Sequence, residues 1–322
     1  MDQYGIADRR RLRRKLTFWR LAVFVLVAAA VAFYGYERRA PSPFDRPHVA
    51  KVELTGFVSD DEDLVERLDR IAASDDAKAL IVDINSPGGT TYGGEAIFDA
   101  IRRVAAKKPV VSHIRTLGAS AAYMIAVAGD HIVASQTSIV GSIGVLFQYP
   151  QVSGLLDKVG VSVDEIKSSP LKAEPSPFHP ASDAAKAMIR SMIMDSYDWF
   201  VDLVAKRRHF THDKALKLSD GSVFTGRQAL DNGLIDALGG DEAARDWLAG
   251  KGVSKDLPEV EWRSGKKSGW GLFGRAAAGA LDAVTGGGGV LTRAFDEISG
   301  RKLFLDGLVS LWQFGAQPRN GE

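Results

Sequence analysis

Leu117-Gly118-Ala119-Ser120-Ala121-Ala122-Tyr123-Met124-Ile125-Ala126 places one hydroxyl among residues too small to do much except clear space. Pro109-Val110-Val111-Ser112-His113-Ile114, just before it, reads as a buried strand. Residues 121–128 read as a helix, since Ala and Met are strong helix formers. Ser120 therefore falls where a strand becomes the first turn of a helix. Backbone N–H groups are unpaired there, and the helix dipole favours developing negative charge. Two readings of the serine stand side by side. It is an ordinary N-cap, or a hydroxyl set among Gly and Ala so that another backbone can approach it.

The alternation of strand and helix extends in both directions. Residues 49–54 alternate like a strand, and 63–73 have helical spacing through Leu64, Val65, Leu68 and Ile71. Ala79-Leu80-Ile81-Val82-Asp83-Ile84 is a largely apolar run, as expected of a strand covered on both faces. It leads straight into Asn85-Ser86-Pro87-Gly88-Gly89, and residues 94–106 then form a helix with Ile97, Phe98, Ile101 and Val104 on one side. After the Ser120 helix come a short strand, His131-Ile132-Val133-Ala134, and Gly141-Ser142-Ile143-Gly144-Val145. The fold class is α/β. Farther along, residues 161–167 read as strand-like and 170–177 as a Pro-rich crossing. Residues 181–208 read as one long amphipathic helix capped by Ser182. Residues 222–240 read as two short turns and a helix, with Leu238-Gly239-Gly240 as its C-cap.

The chain has 322 residues, enough for one sizeable domain with appendages, or two domains. Its 41 basic and 40 acidic side chains nearly cancel, so no global charge calls for nucleic acid. The absence of cysteine removes disulfides, thiolate metal sites and a cysteine nucleophile together. Of the six histidines only His209 and His212 lie close in sequence, so neither a histidine-rich metal site nor a cofactor is expected.

The first residues read as a membrane address. Residues 1–17 carry Arg9, Arg10, Arg11, Arg13, Arg14 and Lys15. Residues 18–36 are nearly all apolar and, with Phe18 and Trp19, just long enough to cross a bilayer. Seven basic residues precede the run, counting Arg20, against Arg38 and Arg39 behind it. That asymmetry predicts a single-pass anchor in the cytoplasmic (inner) membrane, with a cytoplasmic N-terminus and a periplasmic catalytic domain. Ala30-Val31-Ala32 has the form of a signal-peptide cleavage site, but Phe33, Tyr34 and Tyr36 continue the apolar run beyond it, which favours a retained anchor. Residues 37–48 read as a stiff Pro-rich linker, 49–250 as the globular domain, and 251–322 as a tail. Phe304, Leu308, Leu311 and Trp312 can share one helical face in that tail. It is expected to dock on the protein or the bilayer, away from the chemistry.

Acyl transfer needs a nucleophile, a base within reach and fixed N–H donors for the oxyanion. Gly88 and Gly89 follow a buried strand, where bare backbone can turn amides towards a carbonyl, though Pro-Gly-Gly is also simply a tight turn. His113, His131 and His179 are badly placed to serve Ser120, yet none is excluded by sequence. A lysine can act as base if burial lowers its pKa from about 10.4. Lys172, between Pro170 and Pro175 in an apolar setting, is the candidate.

Asn85-Ser86-Pro87-Gly88-Gly89, Gly118-Ala119-Ser120 with Tyr123, residues 141–145 and Ile166-Lys167-Ser168 resemble the motifs of the signal peptide peptidase A (protease IV) family, in order and spacing. The similarity runs over about residues 49–248, through Asp220-Gly221, Phe224-Thr225-Gly226-Arg227-Gln228-Ala229 and Gly233-Leu234-Ile235-Asp236. The resemblance implies a serine–lysine dyad on a crotonase/Clp-type ββα superhelical fold behind a single N-terminal transmembrane helix. Ser120 matches the nucleophile and Lys172 the general base. Ser142 matches the serine that orients the lysine, and Gly88 and Gly89 match the oxyanion loop. Lys167 is the rival base; the family carries its base five residues after that lysine, which favours Lys172. The usual Ala-Ser-Gly-Gly is Ala119-Ser120-Ala121-Ala122 here, so Ala121 is expected to add a methyl to the substrate wall.

The family further implies a membrane-anchored homo-oligomeric ring with active sites where protomers meet. Its peptide substrates would be remnants of cleaved signal peptides, short and hydrophobic. Three other readings stay open at this level: a crotonase-type acyl-CoA hydratase or isomerase, a Clp-like Ser-His-Asp peptidase, and a non-catalytic membrane scaffold.

Overall fold

The computed structural model describes residues 19–25, 28, 43–263 and 309–311. The chain divides into two units, Met1–Arg46 and Pro47–Glu322. In the first, residues 19–25 and 28 are helical, and Trp19, Leu21, Val23, Phe24 and Val25 are exposed. Among the described residues no helix is long and apolar enough to cross a membrane. Most of the expected 18–36 anchor lies outside them.

The second unit opens with three rounds of strand followed by helix. β1 (His48–Val58) leads to α1 (Glu62–Ala73), β2 (Ala77–Thr90) to α2 (Thr91–Ala105), and β3 (Val110–Ala119) to the short α3 (Ala121–Ala126). β1, β2 and β3 pair in parallel in that order. β4 (His131–Ala134) and β5 (Ile139–Gly141) both continue β3, each in parallel, at successive levels along it. Polar caps start the helices: Asp61 accepts from Leu64 N–H at 3.0 Å, and Thr90 from Gly93 N–H at 3.1 Å.

Burial on both faces explains why the strands read as continuous apolar runs. On one face Leu80, Val82, Ile84, Val110, Ile114 and Ile132 pack under α1, α2 and α3. On the other, Val49, Ala79, Ile81, Val111 and Val133 pack on Ala244 and Leu248 of α8 (Asp241–Gly250). The sheet extends beyond the expected boundary at residue 250. β8 (Glu259–Glu261) pairs with β1, and Trp262 N–H donates to the Lys51 carbonyl at 2.8 Å.

Beyond β5 lie α4 (Ser153–Val159), the long α5 (Asp183–Arg208) and α6 (His212–Lys217). Ser182 caps α5 as expected, accepting from Ala185 N–H at 3.1 Å. α5 buries Ala185, Phe200, Val201 and Val204, so its middle is largely uncovered. Residues 161–167 form no strand, contrary to the pattern reading. Their C-terminal end is tied by the side chains of Glu165 and Lys167, which alternation does not reveal.

Residues 222–240 also differ from expectation. They hold β6 (Val223–Thr225), α7 (Gly226–Asn232) and β7 (Ala237–Leu238). The helix stops at Gly233, whose φ of 81° is the left-handed conformation a C-cap needs, well before Gly239. A last strand, β9 (Val309–Leu311), comes from the tail and pairs antiparallel with the end of β2.

Candidate active site

Ser120 occupies the junction of β3 and α3, as the sequence predicts, but it is no ordinary cap. Its φ of 61° and ψ of −123° lie far from the extended backbone of an N-cap, and its side chain makes no capping hydrogen bond. A non-glycine residue there stores strain, of order 1–3 kcal/mol. The surrounding bonds hold it: Ser120 N–H donates to Gly141 O at 2.8 Å, and Met124 N–H to Ser120 O at 2.9 Å. This sharp strand-to-helix turn is the geometry that thrusts a nucleophilic serine off the end of a sheet. The residue is 1% exposed.

α3 itself is fully buried and anchored by Tyr123, whose hydroxyl donates to Leu234 O at 2.7 Å. Burial holds that phenol protonated well above its ordinary range. Gly233-Leu234-Ile235-Asp236 is in turn fastened by Arg208, which reaches Gly233 O at 2.9 Å and pairs with Asp236. Two motifs more than a hundred residues apart thus form one support. Ala121 packs towards α2: a Cβ on Gly94 would lie 3.2 Å from the Ala121 methyl.

The Pro-Gly-Gly segment forms the end of β2 beside β1. A Cβ at Gly89 would come within 1.8 Å of the Val58 carbonyl oxygen, so only glycine fits. Gly88 N–H is taken up by Ser86 Oγ at 3.1 Å, and Ser86 Oγ donates to Gly56 O at 2.6 Å. β9 lies along the other edge of this segment, with Gly88 opposite Leu311 and Gly89 opposite Ser310. The sequence placed the tail away from this glycine pair. The structure lays a tail strand on it, a backbone pairing that a helical side-chain pattern conceals.

Ser142 follows β5 with φ 51°, another left-handed non-glycine residue, and its N–H donates to Ser222 O at 2.7 Å. Lys172 is exposed in the turn-only segment between α4 and α5. Its N–H donates to Ser169 O at 3.1 Å. Within one chain its side chain makes no hydrogen bond or ion pair to the described residues, Ser120 and Ser142 included.

The peptidase family S49 profile matches residues 102–253, and the Clp protease profile matches residues 51–139. A Methanocaldococcus jannaschii protein named as a protease is 36% identical over 210 residues, covering 65% of this chain and 67% of that one. A Synechocystis protein named likewise is 35% identical, covering 67% of this chain and 79% of that one. An Enterococcus faecium protein named as the signal peptide peptidase SppA is 32% identical, covering 63% of this chain and 59% of its own. The chain belongs to peptidase family S49, that of signal peptide peptidase A (protease IV).

In this S49 peptidase the histidines are engaged elsewhere. His113 lies on the α8 face of the sheet, its Nδ1 2.8 Å from buried Asp83. His131 stacks on Trp247 with ring centroids 5.0 Å apart. Among the described residues two side-chain groups have a spacing that could hold a cation, Asp83/His113/Asp241 and Glu165/Glu174/His179. Each already contains an ammonium. Lys51 Nζ lies 3.4 Å from Asp83 and 3.3 Å from Asp241. Burial opposes ionisation of Asp83, but the adjacent His113 ring and the Lys51 charge outweigh it and keep the carboxyl below its ordinary range. Lys167 fills the second group, 2.7 Å from Glu174 and also paired with Glu165. Those two hydrogen bonds hold its pKa above the usual lysine value. Such an amine is a poor proton acceptor, which counts against Lys167 as the base.

Proposed function

We propose that this chain is a membrane-anchored serine endopeptidase that cuts short, extended hydrophobic peptides, remnants of cleaved signal peptides among them. Ser120 acts as nucleophile and Lys172 as general base. The observation that carries the reading is the backbone of Ser120: strained, unused as a cap and fixed on both sides.

In this mechanism Ser120 Oγ attacks the scissile carbonyl while the Lys172 amine takes its proton. The amide of Gly89 is the favoured oxyanion donor, since that of Gly88 is bonded to Ser86. The ammonium of Lys172 then gives its proton to the departing amine. Water, deprotonated by the same lysine, hydrolyses the acyl-enzyme. The pairing of β9 with residues 88–90 supports an extended substrate that binds by adding a strand to this edge.

Lys172 meets Ser120 between neighbouring copies in a ring. Its exposure supports this, as do the exposed apolar side chains that precede it in sequence: Leu155, Val159, Val161, Val163, Ile166 and Leu171. Such a surface marks an interaction face. Ser142 would orient the lysine there, and residues 18–36 would hold the ring at the membrane.

The test is labelling of the full-length protein with a fluorophosphonate. Label mapped to Ser120, and lost in Lys172→Ala, is the expected result. Label on another serine, or labelling that persists in Lys172→Ala, overturns the assignment.

A further inference from the structure

Between α4 and α5 the chain runs through residues 160–182 without helix or strand, and Lys172 sits near the crown of that segment. No ladder of backbone hydrogen bonds fixes it. The base of the loop is closed by side chains. Lys167 Nζ donates to Glu174 Oε1 at 2.7 Å and is paired with Glu165. Ser176 Oγ donates to Glu165 Oε1 at 3.0 Å, and Ser176 N–H to Glu174 Oε2 at 3.3 Å. His179 Nε2 lies 3.3 Å from Glu174 and 3.8 Å from Glu165. Each chain end entering the loop is thereby tied to the other, with Lys172 between them.

Two details make this knot more than a surface ion pair, which alone would contribute little. The Glu174 side chain is 6% exposed and Ser176 is 2% exposed, so the centre is shielded from water. Ala173, between Lys172 and Glu174, has φ 60°. A left-handed alanine persists only where its surroundings over-determine it, and the next residue, Glu174, is held by Lys167 and Ser176.

We infer that Glu174, with Lys167, Glu165 and Ser176 holding it, is a positioning residue that sets where the Lys172 amine stands. The inference rests on the reading of Lys172 as the base. It assigns Lys167 a mechanical task in place of the proton transfer for which it is a rival.

The experiment uses the full chain and measures peptide hydrolysis and fluorophosphonate labelling in Glu174→Gln, Lys167→Met and the charge swap Lys167→Glu/Glu174→Lys. Expected is a 10- to 100-fold fall in kcat for each single variant, with KM within about twofold and unchanged oligomeric state. The swap should recover at least tenfold over the worse single variant, which general destabilisation would not allow. Should Glu174→Gln fail to fold, Lys167→Met decides by the same criteria. Wild-type kcat in both singles, with Lys172→Ala inactive, overturns the positioning role and leaves the dyad standing. An active Lys172→Ala removes the dyad, whatever the other variants do.

Discussion

The main-chain N–H of Ser120 donates to the carbonyl of Gly141 at 2.8 Å, joining the proposed nucleophile to the residue just before Ser142. Gly141 has φ 104° and Ser142 φ 51°, so the two strained turns brace each other across β3 and β5. The brace continues outward. Ser142 N–H donates to Ser222 O, and Asp220 accepts from Ser222 N–H at 2.9 Å. The Asp220-Gly221 motif, remote in sequence from the nucleophile, is thereby linked to the strand end that holds Ser120.

Ser120→Ala and Lys172→Ala should each lower kcat/KM by at least roughly 10⁴-fold, and the double variant should be no worse, because nucleophile and base act as a unit. Steady-state hydrolysis of a fluorogenic peptide checks this. Additive losses would separate the two roles.

Ser120→Gly should be more stable than Ser120→Ala by about 1 kcal/mol, since glycine adopts φ 61° and ψ −123° without strain but loses more chain entropy on folding. Both lack the hydroxyl, so the difference isolates the backbone. Urea midpoints measured side by side decide it, and equal midpoints would remove the strain argument.

Gly89→Ala should destabilise by at least about 3 kcal/mol and abolish hydrolysis, because the added carbon would lie 1.8 Å from the Val58 carbonyl oxygen. Neither atom is a side chain that can rotate away. A folded, active Gly89→Ala protein would show that β1 and β2 separate easily at this edge.

The knot around Lys167 has a defined pH window. Hydrogen bonds from Lys167 hold Glu165 and Glu174 below their usual pKa, so their contribution is complete above about pH 4.3 and is lost as pH falls through the lowered values. Lys167 is raised, so its share is complete below about pH 10.4 and is lost as pH rises through the raised value. Hydrogen-exchange protection of residues 165–179, corrected for intrinsic rates, should be present at about pH 5 and collapse towards pH 3. Protection that persists unchanged to pH 3 would contradict this.

Removal of residues 264–322 deletes β9 and opens the edge of β2 at residues 88–90. If that edge is uncovered only a tenth of the time in the whole chain, KM for extended peptides should fall about tenfold at unchanged kcat. Kinetics of the truncated protein, in its normal oligomeric state, test this. A lower kcat would mean that the tail helps to build the site.

The framework was legible in the sequence because it obeys short-range rules. Runs such as 79–84 need burial on both faces, and Ser182 sits where a helix requires a cap. The elbow was legible as a place, Ser120 between strand and helix, but its φ is set by Gly141 across the sheet, beyond any local pattern. Residues 161–167 looked like a strand because alternation cannot reveal that Lys167 pairs with both Glu165 and Glu174. The landing of β9 on the glycine pair was hidden for a similar reason: strand pairing is carried by backbone, and Gly88 and Gly89 advertise no partner.

Four non-glycine residues are left-handed among the described residues, and three of them, Ser120, Ser142 and Ala173, lie at or beside the proposed chemistry. A laboratory selection for heat resistance alone would therefore work against this enzyme at those positions. Glycine there would survive heating better while erasing the hydroxyls or loosening the base. Libraries screened on melting temperature should drift towards inactive clones with substitutions clustered at 120, 142 and 173. Pairing the thermal screen with a turnover screen should leave those positions unchanged and shift the gains to the exposed face of α5.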